Sequence, residues 1–238
     1  MPAEPISVAE AASRLGVNQA RVRAMIAAGL LDAVKVGGRW LISPESIDRR
    51  KDDVRPVGRP FSLTQAWGML MTAAGERPDW LSPWDRSRIR RRLREHGLLV
   101  LAPRLRGRAV LHRLRAHPSD TERITNNKNV VRTGISGASH YGIDLVAPGH
   151  VEVYAPEKQM HRLTRQYALQ PSQRPNLLIR AVPRGTVKGA VADLWPFEEN
   201  LLVAPAPVVG VDLLDSDDAR TRRAGKQLLE QVQAQWST

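Results

Sequence analysis

Thirty residues of this chain concentrate one chemistry. Between Arg86 and Arg115 stand eleven arginines and a single acid, Glu95. Within Arg86-Ser-Arg-Ile-Arg-Arg-Arg-Leu-Arg94, a turn of about 100° per residue puts Ile89 and Leu93 on one narrow apolar seam. The opposite face collects Ser87, Arg88, Arg91 and Arg94, with Arg90 and Arg92 on its flanks and Arg86 at its start. Three more arginines, Arg104, Arg106 and Arg108, follow within a Pro- and Gly-containing stretch. A guanidinium binds phosphate through two parallel hydrogen bonds, so arginines at helical spacing suit phosphates strung along a polyanion. A solvated helix face or an acidic protein partner would use the same residues. Ordinary exposed helices, however, alternate signs to form i,i+4 pairs, and this one does not. A membrane surface would need a broad apolar face, which Ile89 and Leu93 do not make.

The elements needed to hold these side chains can be read around them. Ser62 can cap a helix from Leu63 to about Ala74, with Ala66, Trp67, Leu70 and Met71 on one side and Gly75 after its end. Ser82-Pro83-Trp84-Asp85 is a helix start, with a capping hydroxyl, proline at the first position and an acid three residues after the cap. Gly97 closes that helix. Leu98–Ala102 reads as a strand, residues 103–107 as a turn carrying Arg104 and Arg106, and Arg108–His112 as the return strand. Residues 61–116 are thus expected to form a basic winged-helix-like module, with Arg86, Ser87, Arg88, Arg90, Arg91, Arg92, Arg94, Arg104, Arg106 and Arg108 facing DNA.

At the other end of the charge scale, residues 1–58 carry nine basic and seven acidic groups. Ser7 opens a helix to Leu15, with Glu10 at capping-box spacing, and Gly16-Val17-Asn18 breaks it. A second helix runs from Gln19 to Ala28 with Val22, Met25 and Ile26 inward and Ala20, Ala24 and Ala27 outward. Ala33–Val36 and Arg39–Ile42 then flank a Gly37-Gly38 turn, the hairpin of a wing, and a closing helix starts at Ser43. The stretches SVAEAASRLGV, NQARVRAMIAAGLL and AVKVGGRWLI together resemble the excisionase and MerR-type winged helix-turn-helix family. That resemblance implies DNA binding, with recognition-helix contacts at Gln19, Arg21 and Arg23 and wing contacts at Lys35, Gly38 and Arg39. Small outward alanines would let the helix sit deep in a major groove. Residues 51–60, with Pro56, Gly58 and Pro60 among charges, read as a stiff exposed linker.

Residues 117–238 are close to neutral and alternate between the two periods: a short helix opening at Pro118, a strand at 130–132, a helix near 136–141, strands at 149–154, 176–182 and 201–204, and helices at 156–167, 207–214 and from Asp218 to about Gln235. The expected class is α+β, a winged helix-turn-helix at 1–50, the basic module at 61–116 and a mixed α/β domain at 117–238. The stretches VVRTGISGASHYGIDL (130–145), VEVYAP (151–156), NLLIRAVP (176–183) and APVVGVDLLDSDDARTRRAGKQLLEQV (206–232) resemble the AbiEi family of antitoxins. The resemblance implies a type IV toxin–antitoxin regulator that represses its own operon at inverted repeats and counteracts a nucleotidyltransferase toxin without stable contact with it.

Other chemistries find little purchase. With no cysteine there is no disulfide framework, thiol nucleophile or Cys-based zinc site. Asp144, Glu152 and Lys158 superficially suggest a metal nuclease, but the Glu-x-Lys step is missing, and His140 and His150 lack the partners of a metal site. No enzyme, cofactor or metal is expected. A net charge of +12 over 238 residues points to nucleic acid. No run approaches a membrane span, and Met1–Ile6 lacks a secretory start, so a cytoplasmic, nucleoid-associated bacterial protein is expected, as monomer or dimer. The sequence-level expectation is a double-stranded DNA-binding repressor and antitoxin, with an excisionase-like DNA-bending protein as its main rival and a nuclease behind both.

Overall fold

The computed structural model describes residues 4–27, 31–47, 59–187 and 190–236. It divides into two compact units, Met1–Gly58 and Arg59–Thr238. Most of the expected linker, residues 51–58, lies outside the described residues.

In the first unit, α1 (Val8–Leu15) starts where the Ser7 hydroxyl accepts from the Glu10 amide at 3.2 Å and ends on Gly16, whose φ of 65° only glycine adopts freely. Asn18 caps α2 (Gln19–Ala27) through its side-chain oxygen, which accepts from the Arg21 amide at 2.8 Å. A three-stranded antiparallel sheet, in the order β1-β3-β2, is built from β1 (Ile6–Ser7), β2 (Ala33–Val36) and β3 (Arg39–Ile42). Gly37 and Gly38 make the two-residue turn of the β2–β3 hairpin, both at positive φ as the right-handed strand twist requires. Ile6, Ala11, Ala12, Val22, Met25, Leu31, Ile42 and Ile47 fill its small core.

The second unit is a mixed five-stranded sheet with helices on both faces. Strands β4 (Val110–Arg115), β5 (Val131–Arg132), β6 (Val151–Pro156), β7 (Gln170–Pro171) and β8 (Leu177–Val182) lie in the order β5-β6-β8-β4-β7. Only β6 and β8 are parallel. Along β6 the side chains alternate. Val151, Val153 and Ala155 join Leu177 and Ile179 against α5 (Thr121–Thr125) and α7 (Met160–Gln166). On the other face Tyr154 and Val182 meet α3 (Leu63–Ala73), α4 (Pro83–Leu101), α8 (Ala206–Leu214) and α9 (Ala219–Trp236). A short α6 (Gly134–Ala138) precedes β6, and β9 (Arg184–Val187) and β10 (Ala190–Asp193) form a separate hairpin that the sequence reading does not contain. The strand expected at 201–204 is reduced to a single bridge, Val203 to Arg132.

Two expectations are overturned in this unit. Residues 98–102 are helical, because Leu98, Leu101, Ala102 and Leu105 are buried at three- and four-residue spacing, a helix period hidden inside an unbroken apolar run. A 3₁₀ stretch, Ala102–Arg108, follows, so no hairpin presents Arg104 and Arg106. The expected return strand starts later, as β4, and pairs with β8 and β7. Residues 61–116 therefore share a core with residues 117–238: the Trp67 indole donates to the Arg108 carbonyl at 2.9 Å and packs edge-on to Tyr154 at 5.2 Å.

Asp218 stands at the start of α9 and accepts from the Thr221 amide at 2.7 Å and hydroxyl at 2.8 Å, which hold its carboxyl below the ordinary aspartate range. A depressed carboxyl stabilises the fold at pH above its unfolded value, and that contribution disappears as pH falls through the folded one. Asp218→Ala should therefore cost about 1 kcal/mol at neutral pH, typical of a lost cap. Urea titrations at falling pH should show the gap between the two proteins closing below about pH 4.

Candidate nucleic-acid interface

On α2 the outward face is what the 3.6-residue period dictates. Gln19, Ala20, Arg21, Arg23 and Ala24 are exposed while Val22 and Met25 are buried. The Ala27 side chain lies outside the described residues. The Arg23 guanidinium reaches back one turn and donates to the Gln19 side-chain amide oxygen at 3.4 Å, so two of the expected base-reading side chains start out touching each other. On the hairpin, Lys35, Gly38 and Arg39 are exposed, and the Lys35 ammonium sits 5.9 Å from the Trp40 ring centroid. The first unit thus presents all six of its expected contact residues on its surface.

Residues 6–53 match the family model described as a helix-turn-helix domain. The first unit carries a helix-turn-helix domain. This match covers 48 of the 238 residues and leaves the second unit untouched. No curated protein and no solved structure matches the chain. A helix-turn-helix domain supports DNA binding, and its solvent-facing α2 carries the two groups best suited to base edges, an amide and guanidinium groups.

In the second unit the ten expected residues separate into three groups. Ser87, Arg90, Arg91 and Arg94 are exposed on α4, opposite the buried Ile89 and Leu93. The helix that holds them starts at Ser82, whose hydroxyl donates to the Asp85 carboxylate at 2.7 Å and accepts from the Asp85 amide at 3.1 Å. It breaks at Gly97, with φ 71° and ψ 156°, and the amide of Leu98 beyond the break donates to the Gln233 side chain of α9 at 3.3 Å. Among the described residues Arg90 and Arg94 make no ion pair, and Arg91 has only Glu95 at 3.8 Å.

The second group is half-buried and partly occupied. Arg86 donates to the Leu81 carbonyl at 2.6 Å and to that of Pro78 at 3.3 Å, which fastens the turn before α4. Arg88 lies over the Trp84 ring at 4.3 Å. Arg92 and Arg104 both approach the ring of Phe61, at 5.6 and 4.0 Å, and Arg104 donates twice to the Arg59 carbonyl. Partial burial, then the like charges of Arg88, Arg104 and Arg91, lower the Arg92 pKa. Glu95 opposes this shift only in part, so the charges here are repelled more than they are paired. Arg106 is exposed on the 3₁₀ stretch and also has a partner of its own.

Arg108 stands alone as a correction. Its side chain is 3% exposed and donates to Asp212 at 2.5 Å, Asp215 at 2.6 Å, the Tyr154 hydroxyl at 3.0 Å and the Leu105 carbonyl at 3.2 Å. Burial alone would lower its pKa, but the oxygens of Tyr154, Asp215 and Asp212 more than offset that and hold it above the ordinary arginine value. It cannot reach DNA. The sequence signal for this fate is the pair of acids at 212 and 215, three residues apart, one on an otherwise apolar helix and one capping its end. Trp84 is missed in the opposite sense: the same 100° rule that puts Ile89 and Leu93 inward puts Trp84 outward, which its role in a helix start obscures.

Two of the three residues considered for metal chemistry have their charged groups engaged elsewhere. Glu152 is buried against Arg180 at 2.9 Å and Lys158 pairs with Asp193 at 2.8 Å; Asp144 is exposed and accepts from Arg220 through its backbone carbonyl, not its carboxylate. Among the described residues no three His, Cys, Asp or Glu side chains are grouped to hold a metal ion. No helix among them is long and apolar enough to cross a membrane.

Arg108 and Arg94 should behave oppositely. Arg108→Ala takes one cation away from the buried Asp212, leaving Arg180 as its only ionic partner there, and empties the space beside the Tyr154 hydroxyl; it should lower stability by about 3–5 kcal/mol in urea unfolding. Arg94→Ala should stay within about 0.5 kcal/mol of the parent, as an exposed substitution does.

Proposed function

We propose that this protein is a sequence-specific double-stranded DNA-binding transcriptional repressor, the autoregulating antitoxin of a type IV toxin–antitoxin operon in the bacterial cytoplasm. The helix-turn-helix domain with its exposed α2 carries the DNA-binding part of this reading. Gln19, Arg21 and Arg23 read base edges in the major groove, and Lys35, Gly38 and Arg39 act as a wing along the adjacent backbone. The exposed arginines of α4 supply what a domain with a net charge of only +2 over residues 1–58 does not, a strong and sequence-independent attraction for phosphate. Binding, with no chemical step, is the whole of the activity.

The antitoxin part rests on the resemblance of residues 130–232 to AbiEi antitoxins. It requires a nucleotidyltransferase toxin as functional partner, neutralised without a stable complex. Co-expression tests it: the chain should relieve growth arrest caused by the nucleotidyltransferase of its own operon, and no relief, or a recombinase in that place, would discard the antitoxin role.

Salt and sequence separate the two DNA-binding surfaces. With about six phosphates neutralised, log K should fall against log salt with a slope near −5, roughly 0.9 per phosphate. Replacing Arg90, Arg91 and Arg94 together by Ala should flatten that slope by about 3 and weaken all duplexes alike. Gln19→Ala or Arg23→Ala should instead cost about 1–3 kcal/mol at the operator only and relax sequence preference. A gel-shift series across salt concentrations reads both. Bending of every duplex with no operator preference would replace the repressor by the architectural reading.

A further inference from the structure

The outward face of α4 is not purely cationic. Trp84 is 66% exposed, and among the described residues it is the only aromatic among the exposed large hydrophobic side chains. At about 100° per residue, Trp84, Arg88, Arg91 and Glu95 form one row within a band about 60° wide, directly opposite Ile89 and Leu93. An indole at the head of an arginine row is costly to leave in water and contributes nothing to the core. Among the described residues its ring contact is with the Arg88 guanidinium, 4.3 Å from the centroid, where the cation is attracted to the ring face. The row continues from this pair into Arg91 and, one strip over, Arg94.

We propose that Trp84 and Arg88 form a stacking platform for an unpaired nucleobase of DNA, whose flanking phosphates lie on Arg91 and Arg94. The inference rests on the reading of α4 as a phosphate clamp and adds what that clamp prefers. A planar cation stacked on an indole offers the sandwich that a base completes, and every base has a face to give it. In an intact duplex those faces are covered by the neighbouring base pairs, so the platform selects strands in which a base is out of the stack: single strands, mismatches or locally opened duplex. An acidic protein would satisfy the arginines and leave the indole idle, and an anionic membrane would want a wider apolar face than one ring.

Fluorescence anisotropy with the full chain tests this on four probes: an oligothymidylate, an abasic strand of equal length and phosphate number, a duplex, and heparin. The oligothymidylate should bind about ten-fold more tightly than the abasic strand, the usual effect of one stacked base. Trp84→Ala should bring that ratio close to one, Trp84→Phe should retain part of it, and both should leave the salt slope unchanged. Unaltered duplex and heparin affinity in Trp84→Ala shows that the variant is folded and the arginines intact. A ratio that survives Trp84→Ala, or an equal loss of heparin or of phosphatidylserine-vesicle binding, overturns the platform. If the Arg90, Arg91 and Arg94 triple variant keeps the parent's salt slope while Trp84→Ala still loses the ratio, the clamp and the phosphate contacts of Arg91 and Arg94 fall, and the stacking of a base on Trp84 and Arg88 stands.

Discussion

One carboxylate organises the second unit. Asp212, buried on α8, receives Arg108 from the end of the 3₁₀ stretch, Arg180 from β8 at 3.1 Å, the Tyr154 hydroxyl from β6 at 2.9 Å and the Thr133 hydroxyl. Four segments distant in sequence are thereby fixed to one helix. Arg180 extends the cluster to Glu152, which in turn packs against Gly134, where a Cβ would collide with the carboxylate and where φ is +50°. Buried ion pairs add little net stability over a well-packed apolar alternative, because desolvation consumes most of the attraction. Their geometric demand is another matter. Each guanidinium must find its oxygens or the unit carries an uncompensated interior charge, which penalises arrangements of α8 that separate Asp212 from Arg108 and Arg180.

That constraint explains how one run of arginines comes to have two fates. Arg108 is the last of the cluster before β4, and pinning it to Asp212 fixes the chain leaving the 3₁₀ stretch. Upstream, Phe61 lies beneath Arg92 and Arg104, and its amide donates to the Arg104 carbonyl, so the first residues of the unit are fastened to the same segment. The buried seam of α4, Ile89 and Leu93, then leaves its arginine face no direction but outward. The interior of the unit thus holds its surface charge in place through ordinary packing and one polar cluster.

How much of this the sequence discloses depends on whether a signal is local. Caps and breaks are local, and Ser7, Asn18, Ser62, Ser82 and Gly97 all start or interrupt helices where their side chains or φ preferences say they should. The hairpin at Gly37-Gly38 is equally legible. Leu98–Ala102 is not, because a short apolar run is compatible with both periods and only its neighbours decide. The partner of β4 is a matter of pairing across more than sixty residues, Val110 with Ala181, for which no local pattern exists. Burial of Arg108 fails for the same reason: composition counts it as positive charge, whereas its value to the molecule lies in acids a hundred residues away.

Net charge is accordingly a poor measure of what a partner meets. Of the cluster between Arg86 and Arg115, Arg108 is neutralised inside the protein, Arg86 is half-buried with one guanidinium nitrogen on two carbonyls, and Arg92 and Arg104 lie partly on Phe61. What remains in solvent on α4 is narrower than the sequence total suggests, a row within a single helix rather than a basic module. At physiological salt, fields fade over about 8 Å, so a compact row acts on groups that touch it and hardly steers anything from a distance. A surface of that kind discriminates by fit to a polyanion's spacing, and the presence of an indole in the same row means that fit is tested by more than charge.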